Sequence, residues 1–352
     1  MFTTTTINLR AKRLIRAVYI LAIASFASLT AAAQTLPAPK PCFDFSGSGR
    51  TSFATVNRDS ANIVFRILNN GGAQGGGAQT VFFGLSNGDN ITPGYFDADN
   101  RADIGVYRPS ASSYFIRPST LAANSFQGVQ FGLPTDVTGR EADYDGDGRD
   151  DLTVVRDGGA NLVWFILRSS NGTVAVVNFG LPGFTADTGR GDIPIAGADY
   201  NGDGRADITV IRPNPNGGDT YLVGDVNTGA LILSAQWGEF DTDFYVVGDY
   251  LGDRRADFAV YRAFQGGTNG TWFIRENGGS GFVTRQFGLT SLASVTDRPI
   301  CGDYNGDGKQ DIAIYRSSSS NFFWLNSPNF DTFSGQQFGQ PDDFPVAGLR
   351  SF

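Results

Sequence analysis

Beyond residue 40 the chain is a succession of short apolar runs cut by polar turns. Short, mostly apolar runs, such as Leu152 to Val155, Ile208 to Ile211 and Ile312 to Tyr315, follow loops rich in Asp and Gly. Runs this short, bounded by turn formers and rich in β-branched and aromatic residues, predict strands. Each is followed by an aromatic strand: Tyr114 to Ile116, Trp164 to Ile166, Trp272 to Ile274 or Phe322 to Trp324. A polar turn comes next, then a strand closing on an aromatic-Gly pair. The pairs are Phe83-Gly84, Phe131-Gly132, Phe179-Gly180, Trp237-Gly238, Phe287-Gly288 and Phe338-Gly339. A further loop leads into a short apolar segment, clearest at Ile193 to Gly197, and the next acidic loop begins.

This order recurs with a period of roughly 50 residues, in the range of propellers and solenoids. Full copies align on Asp143 to Arg156, Asp199 to Arg212 and Asp303 to Arg316. Looser ones span Tyr95 to Arg108 and Asp249 to Arg262, and a degenerate first copy starts at Asp44. Four strands per unit and six units match the arithmetic of a β-propeller. The last unit is followed by Phe344 to Gly348, again the innermost-strand pattern, whereas the first unit opens almost directly on its acidic loop. The expectation is an all-β, six-bladed propeller of four-stranded blades, closed by the C-terminal strand. Seven blades would require the ends to fold differently. Closure would also remove exposed sheet edges.

The start of the chain reads differently. Arg10, Lys12, Arg13 and Arg16 precede an uncharged apolar run from Ala17 to Thr30 and the small residues Ala31 to Ala33. This is the three-part pattern of a secretory signal peptide, predicted over 1–33, with a short linker over 34–41 and the propeller over 42–352. The run is short for a membrane span, and no later segment predicts one. Cleavage would remove four of the 27 basic residues and none of the 35 acids, taking the net charge from −8 to −12. Such a surface repels nucleic acid. An exported, monomeric protein, outside the cell, at its surface or in a periplasm, is the resulting expectation.

Composition narrows the chemistry. The 46 glycines are about twice the usual share, and 29 of the residues are Phe against a single Met. There is no histidine, so no Ser-His-Asp triad, Cys-His pair or His-based zinc site can be built. The acids gather instead in the repeated loops. The spacing D-x-[DN]-x-D-G-x-x-D offers oxygens at positions 1, 3, 5 and 9 and a backbone carbonyl at 7, as a hard cation such as Ca²⁺ requires. Three loops satisfy it: Asp143, Asp145, Asp147, Arg149 and Asp151; Asp199, Asn201, Asp203, Arg205 and Asp207; Asp303, Asn305, Asp307, Lys309 and Asp311. Two are incomplete, with Asp97, Asp99 and Asp103 in one and Asp249, Asp253 and Asp257 in the other. The first copy keeps Asp44 but has Ser46, Ser48 and Ser52, and is expected to hold little or no metal. About three Ca²⁺ ions, up to five, are predicted in a structural role.

The acidic loop and the Phe-Gly pair, recurring in register, resemble FG-GAP repeats, which are related to VCBS-type repeats and to the propeller of integrin α subunits. The resemblance covers residues 42 to 352. It implies a calcium-binding propeller outside the cytoplasm, often engaged in adhesion or ligand recognition. Fold alone names no activity. The reading favoured is a binding or adhesion module for an extracellular protein or cell-surface partner, not an enzyme. A lectin-like glycan binder is the alternative, and a polysaccharide-acting enzyme stands behind it.

Three further features carry expectations. Cys42 and Cys301 each lie two residues before loop position 1, in the first and last units, which a closed ring makes neighbours. A disulfide across the closure is predicted. The recurrent Arg108, Arg156, Arg212, Arg262 and Arg316, with Arg58 one residue later in its copy, are expected to pair with a neighbouring loop or pack on an aromatic. Arg190-Gly191-Asp192 spells an integrin-recognition tripeptide, but Asp192 adjoins a strand, which argues against that role.

Overall fold

Alternation of burial decides how each strand is used. Second strands of the repeats, such as Ile104–Arg108 and Phe258–Arg262, are buried on both faces, while third strands such as Ser113–Arg117 and Asn321–Leu325 alternate buried and half-buried positions. A strand buried on both faces must lie inside a stack of sheets, and an alternating one near its rim. The computed structural model of the chain describes residues 39–350 except 72–76, 123–124, 184–190, 215, 240–241, 264–268 and 291–296. The predicted signal peptide lies outside the described residues.

Six antiparallel sheets form the blades. Blade 2 runs Asn90–Ile91, Ile104–Arg108, Ser113–Arg117 and Gln127–Gln130 from inside to outside, and blades 4, 5 and 6 repeat that order from Ile193, Asp243 and Arg298. Blade 1 takes its innermost strand from the far end of the chain. Phe344–Pro345 pairs with Phe53–Asn57, with Val56 opposite Phe344. The C-terminal strand therefore closes the ring, as its sequence predicts. Blade 3 departs from the pattern. Leu152–Asp157, Leu162–Leu167 and Val174–Asn178 form a three-stranded sheet, and the innermost strand shrinks to a single bridge between Val137 and Val155. Its sequence, Val137 to Ala142, carries Thr, Gly, Arg and Glu, whereas blade 4 has the apolar Ile193 to Gly197 there.

A belt of hydrogen bonds joins the acidic loops around the ring. The N–H at loop position 8 donates to the carbonyl at position 1 of the preceding loop. The pairs are Ala102 to Asp44, Asp150 to Tyr95, Ala206 to Asp143, Ala256 to Asp199, Gln310 to Asp249 and Thr51 to Asp303, all at 2.7–2.8 Å. The last of these crosses the ring closure. The Cys42–Cys301 disulfide spans the same junction, with Cα atoms 6.0 Å apart.

The Phe-Gly pairs act between blades. Gly84 and Gly132 have φ of +81° and +95°, which L side chains rarely adopt. A Cβ at Gly132 would lie 2.9 Å from the Tyr107 hydroxyl and 3.0 Å from Val154 of the next blade. The aromatic of the pair meets a Phe at or just before the outer strand of the following blade: Phe83 with Phe126, Trp237 with Phe282 and Phe287 with Phe333, at 5.6–6.2 Å. The aromatic stripes thus pack blade on blade.

Candidate metal centres and the opposite face

Every acidic loop folds around its own carboxylates. The position-1 side chain accepts backbone N–H groups across the turn: Asp143 from Gly146 (2.6 Å) and Gly148 (2.7 Å), Asp199 from Gly204 (2.8 Å), Asp303 from Gly308 (2.8 Å). Position 6 adopts a left-handed conformation, and Asn100 (φ +59°) and Arg254 (φ +69°) take it in the two loops that lack Gly there. The position-9 carboxylate ties the loop to the blade. Asp151 accepts the Tyr144 N–H at 3.0 Å and the Ser169 N–H at 2.6 Å, and Asp103 and Asp311 make equivalent pairs of bonds.

These aspartates are buried beside one another, and the cost is visible in their acidity. Burial lifts the Asp103, Asp151, Asp207 and Asp257 carboxyls to about 7, with neighbouring loop carboxylates pushing the same way. Burial likewise raises Asp143, Asp199, Asp249 and Asp311, and lifts Asp303 to about 6. A cation would remove that repulsion, so the donor set fits a hard divalent ion.

Two loops, among the described residues, bring three carboxylates together. Asp143, Asp145 and Asp151 place one oxygen each within 4.8 Å of one another, and so do Asp97, Asp99 and Asp103. The second set belongs to a loop whose first position is Tyr95, so losing that acid does not scatter the rest. In the other two complete loops Asn stands at position 3 and turns its amide N–H toward the position-9 carboxylate: Asn201 to Asp207 at 3.0 Å and Asn305 to Asp311 at 3.2 Å. A hydrogen bond there takes the place of a third carboxylate. A cation would draw on Asp199, Asp203 and Asp207, or Asp303, Asp307 and Asp311, with the amide oxygen in place of its N–H. Asp249 and Asp257 are tied to their own loop's N–H groups, and Asp253 accepts the Arg255 N–H. In the first copy the Ser52 hydroxyl accepts the Phe45 N–H at 3.0 Å, replacing the position-9 carboxylate without charge.

The recurrent arginines form a second ring of interactions. Arg156 donates Nε and Nη2 to Asp136 at 2.8 Å each, and Arg108, Arg212, Arg262 and Arg316 do the same to Asp89, Asp192, Asp243 and Asp297. Arg108, Arg156, Arg262 and Arg316 also lie over Phe115, Phe165, Phe273 and Phe323 at 4.5–5.0 Å. Each aspartate also accepts an N–H from the loop after the aromatic-Gly pair, as Asp136 does from Leu133 at 2.7 Å. Asn57 occupies the equivalent position in blade 1, and Arg66, one strand further out, binds Asp343 at 2.9 Å. Arg58 pairs with a neighbouring loop as expected, donating to the Ser86 and Asp89 carbonyls. The integrin-type tripeptide is not presented as a ligand. Asp192 is buried and held by Arg212, and Arg190 lies outside the described residues.

Sequence reasoning missed these six aspartates. The loop before them varies in length, which hides their register when it is counted from the Phe-Gly pair. Counted back from the arginine they stand 19 or 20 residues away in five copies, and that fixed spacing was the available signal.

Residues 143–210 match the FG-GAP-like repeat family. No curated protein matches the chain. Among solved structures, the rhamnogalacturonan lyase YesW is 12% identical, with 87% of this chain and 66% of that chain covered and a TM-score of 0.34. The Dos1 propeller is 13% identical, with 86% and 76% covered and a TM-score of 0.37. This chain therefore spans just under two thirds of the lyase's length. Likenesses this distant carry nothing about activity. The chain carries an FG-GAP-like repeat and folds as a six-bladed propeller.

Proposed function

We propose that this protein is a secreted or cell-surface propeller, stabilised by Ca²⁺, that acts as an extracellular binding module. The observation that carries the metal half is the set of Asp143, Asp145 and Asp151 oxygens within 4.8 Å of one another inside a loop matching the calcium spacing. Bound Ca²⁺ supplies positive charge that neutralises buried carboxylates and locks each loop. The loops are tied to the belt and to the blades, so the ion holds shape and does no chemistry. Support for the binding half is the repeat family matched, the disulfide across the ring and the absence of histidine. Among the described residues no helix is long and apolar enough to cross a membrane.

Thermal unfolding of the protein in Ca²⁺ and in chelator, with bound ions counted, tests the metal. One site with Ca²⁺ at a hundred times its Kd adds about 2.7 kcal/mol, so a marked rise in midpoint with about three ions bound is expected. An unchanged midpoint rejects the structural-metal reading. Retention of labelled protein on intact cells of its source, in Ca²⁺, tests the binding role.

A further inference from the structure

The junction between blades 4 and 5 departs from the repeat, and the departures coincide with a cavity. Phe-Gly is followed by Leu at Leu85, Leu133, Leu181 and Leu289 and by Gln340 in the last copy; here the run is Trp237-Gly238-Glu239, with Trp in place of Phe. A cavity of about 710 Å³ lies at this junction, walled by Trp237, Phe273, Gln236, Asn214, Glu239 and Arg262, with Gly217 and Gly218 facing it. Its volume falls within the roughly 300–1,000 Å³ of small-molecule sites. The equivalent place between blades 1 and 2, around Phe83, Phe115 and Arg108, holds only about 270 Å³.

The lining chemistry is mixed in a specific way. Trp237 offers flat apolar surface, and Phe273 lies beneath the Arg262 guanidinium. Glu239 receives the Arg262 Nη1 at 2.8 Å while most of its carboxylate stays in solvent, and the Gln236 amide donates to the Gly218 carbonyl at 3.2 Å. Arg262 is already neutralised by Asp243 and Glu239, and Arg275 lies over Trp237 at 5.9 Å. Among the described lining residues the charged groups are Glu239 and Arg262, and they pair with each other. Aromatic faces match the C–H face of a pyranose, and amide, carboxylate and guanidinium edges match its hydroxyl pairs.

We infer that this cavity is a carbohydrate-binding site for a neutral oligosaccharide, which Trp237 stacks against and Gln236, Glu239 and Arg262 orient. The inference rests on the binding-module reading and names the ligand class that module would take.

Tryptophan fluorescence reads the site. Of the four Trp residues, Trp164, Trp272 and Trp324 are buried in the core, so a ligand in the cavity is reported by Trp237. The full protein in Ca²⁺ is titrated with cellohexaose, xylohexaose, maltohexaose and β-1,4-galactohexaose. A saturable change with at least one of them is expected. Trp237→Phe, which restores the repeat's usual residue and so keeps the fold, weakens binding about tenfold, the scale of one lost aromatic contact. Gln236→Ala weakens it as well, and Phe82→Ala at the other junction leaves it unchanged. No response to any of the four sugars, or equal affinity in the Trp237 and Gln236 variants, overturns the site. Cell retention separates the two readings. Retention that survives periodate oxidation of the surface rejects the sugar and leaves the binding module standing, whereas absence of both retention and sugar binding removes both.

Discussion

The clamp between Arg156 and Asp136 gives a quantitative test of what holds the blades in register. The Asp136 side chain is fully buried, whereas about a third of the Arg156 side chain (32%) reaches solvent. The two partners are therefore not equivalent. Arg156→Met keeps the aliphatic stem over Phe165 but leaves a buried carboxylate with the Leu133 N–H as its remaining hydrogen bond of the clamp. Breaking a buried pair this way costs about 3–5 kcal/mol. Asp136→Asn removes the charge, keeps an acceptor for Leu133 and lets Arg156 turn to water, so the loss is that of a charge-assisted bond, about 1.5–3 kcal/mol. The double variant no longer buries a charge and should be no less stable than Arg156→Met alone, a coupling of at least 1 kcal/mol relative to additivity. Urea unfolding in saturating Ca²⁺, with the m-value unchanged across the set, measures all three. Equal losses for the two single variants, or additive losses in the double, would refute the reasoning, because the clamp would then be a neutral packing contact.

Other expectations follow from the same geometry. Gly132→Ala should cost about 2 kcal/mol or more, since a Cβ meets the Tyr107 hydroxyl at 2.9 Å and the backbone has φ +95°; a loss below 0.5 kcal/mol in chemical unfolding would mean that the Phe-Gly pair is not sterically required. Replacing Cys42 and Cys301 by Ser opens a bridge of 259 residues separation and should lower stability by about 2–5 kcal/mol, checked against the oxidised protein at one Ca²⁺ concentration. In chelator, Asp103, Asp151, Asp207 and Asp257 titrate near 7 folded and near 3.8 unfolded. The folded state then binds more protons between those values, so stability falls as pH rises from about 4 to about 7. Melting midpoints that climb over that interval without Ca²⁺ would contradict the buried-carboxylate picture.

Much of the fold was legible because it is written six times in register. A single Phe-Gly or Asp-rich loop means little; six at one period define blades, and the stray Phe344–Pro345 segment then has one place to go. What stayed hidden depends on side-chain exchange between strands. Arg66 takes over from the missing arginine of blade 1 by reaching from the neighbouring strand, which no alignment of the copies reveals. The polar Val137 to Ala142 segment likewise reads as a broken innermost strand only once Val137 is seen bridged to Val155 alone. Among the metal loops, spacing ranked the loop at 97–103 below those at 199–207 and 303–311. Geometry groups its three carboxylates as closely as those at 143–151, because losing position 1 to Tyr95 leaves positions 3, 5 and 9 intact.

The belt explains why loops that have lost their acids persist. Each loop gives its position-1 carbonyl to the next loop, and that bond needs only backbone: Tyr95 supplies it as well as Asp143 does. In the first copy Asp44, Ser46, Ser48 and Ser52 satisfy the turn with hydroxyls and one carboxylate, so no cation is needed to relieve repulsion. Holding the ring together and holding a metal are therefore separable tasks of the same loop. Only the second demands three oxygens at close range, and it falls away first as a copy diverges. On the proposed reading, a cation would hold the loops where carboxylates crowd. Elsewhere the ring depends on the belt, with the disulfide and Thr51 securing the one junction that the chain does not cross covalently.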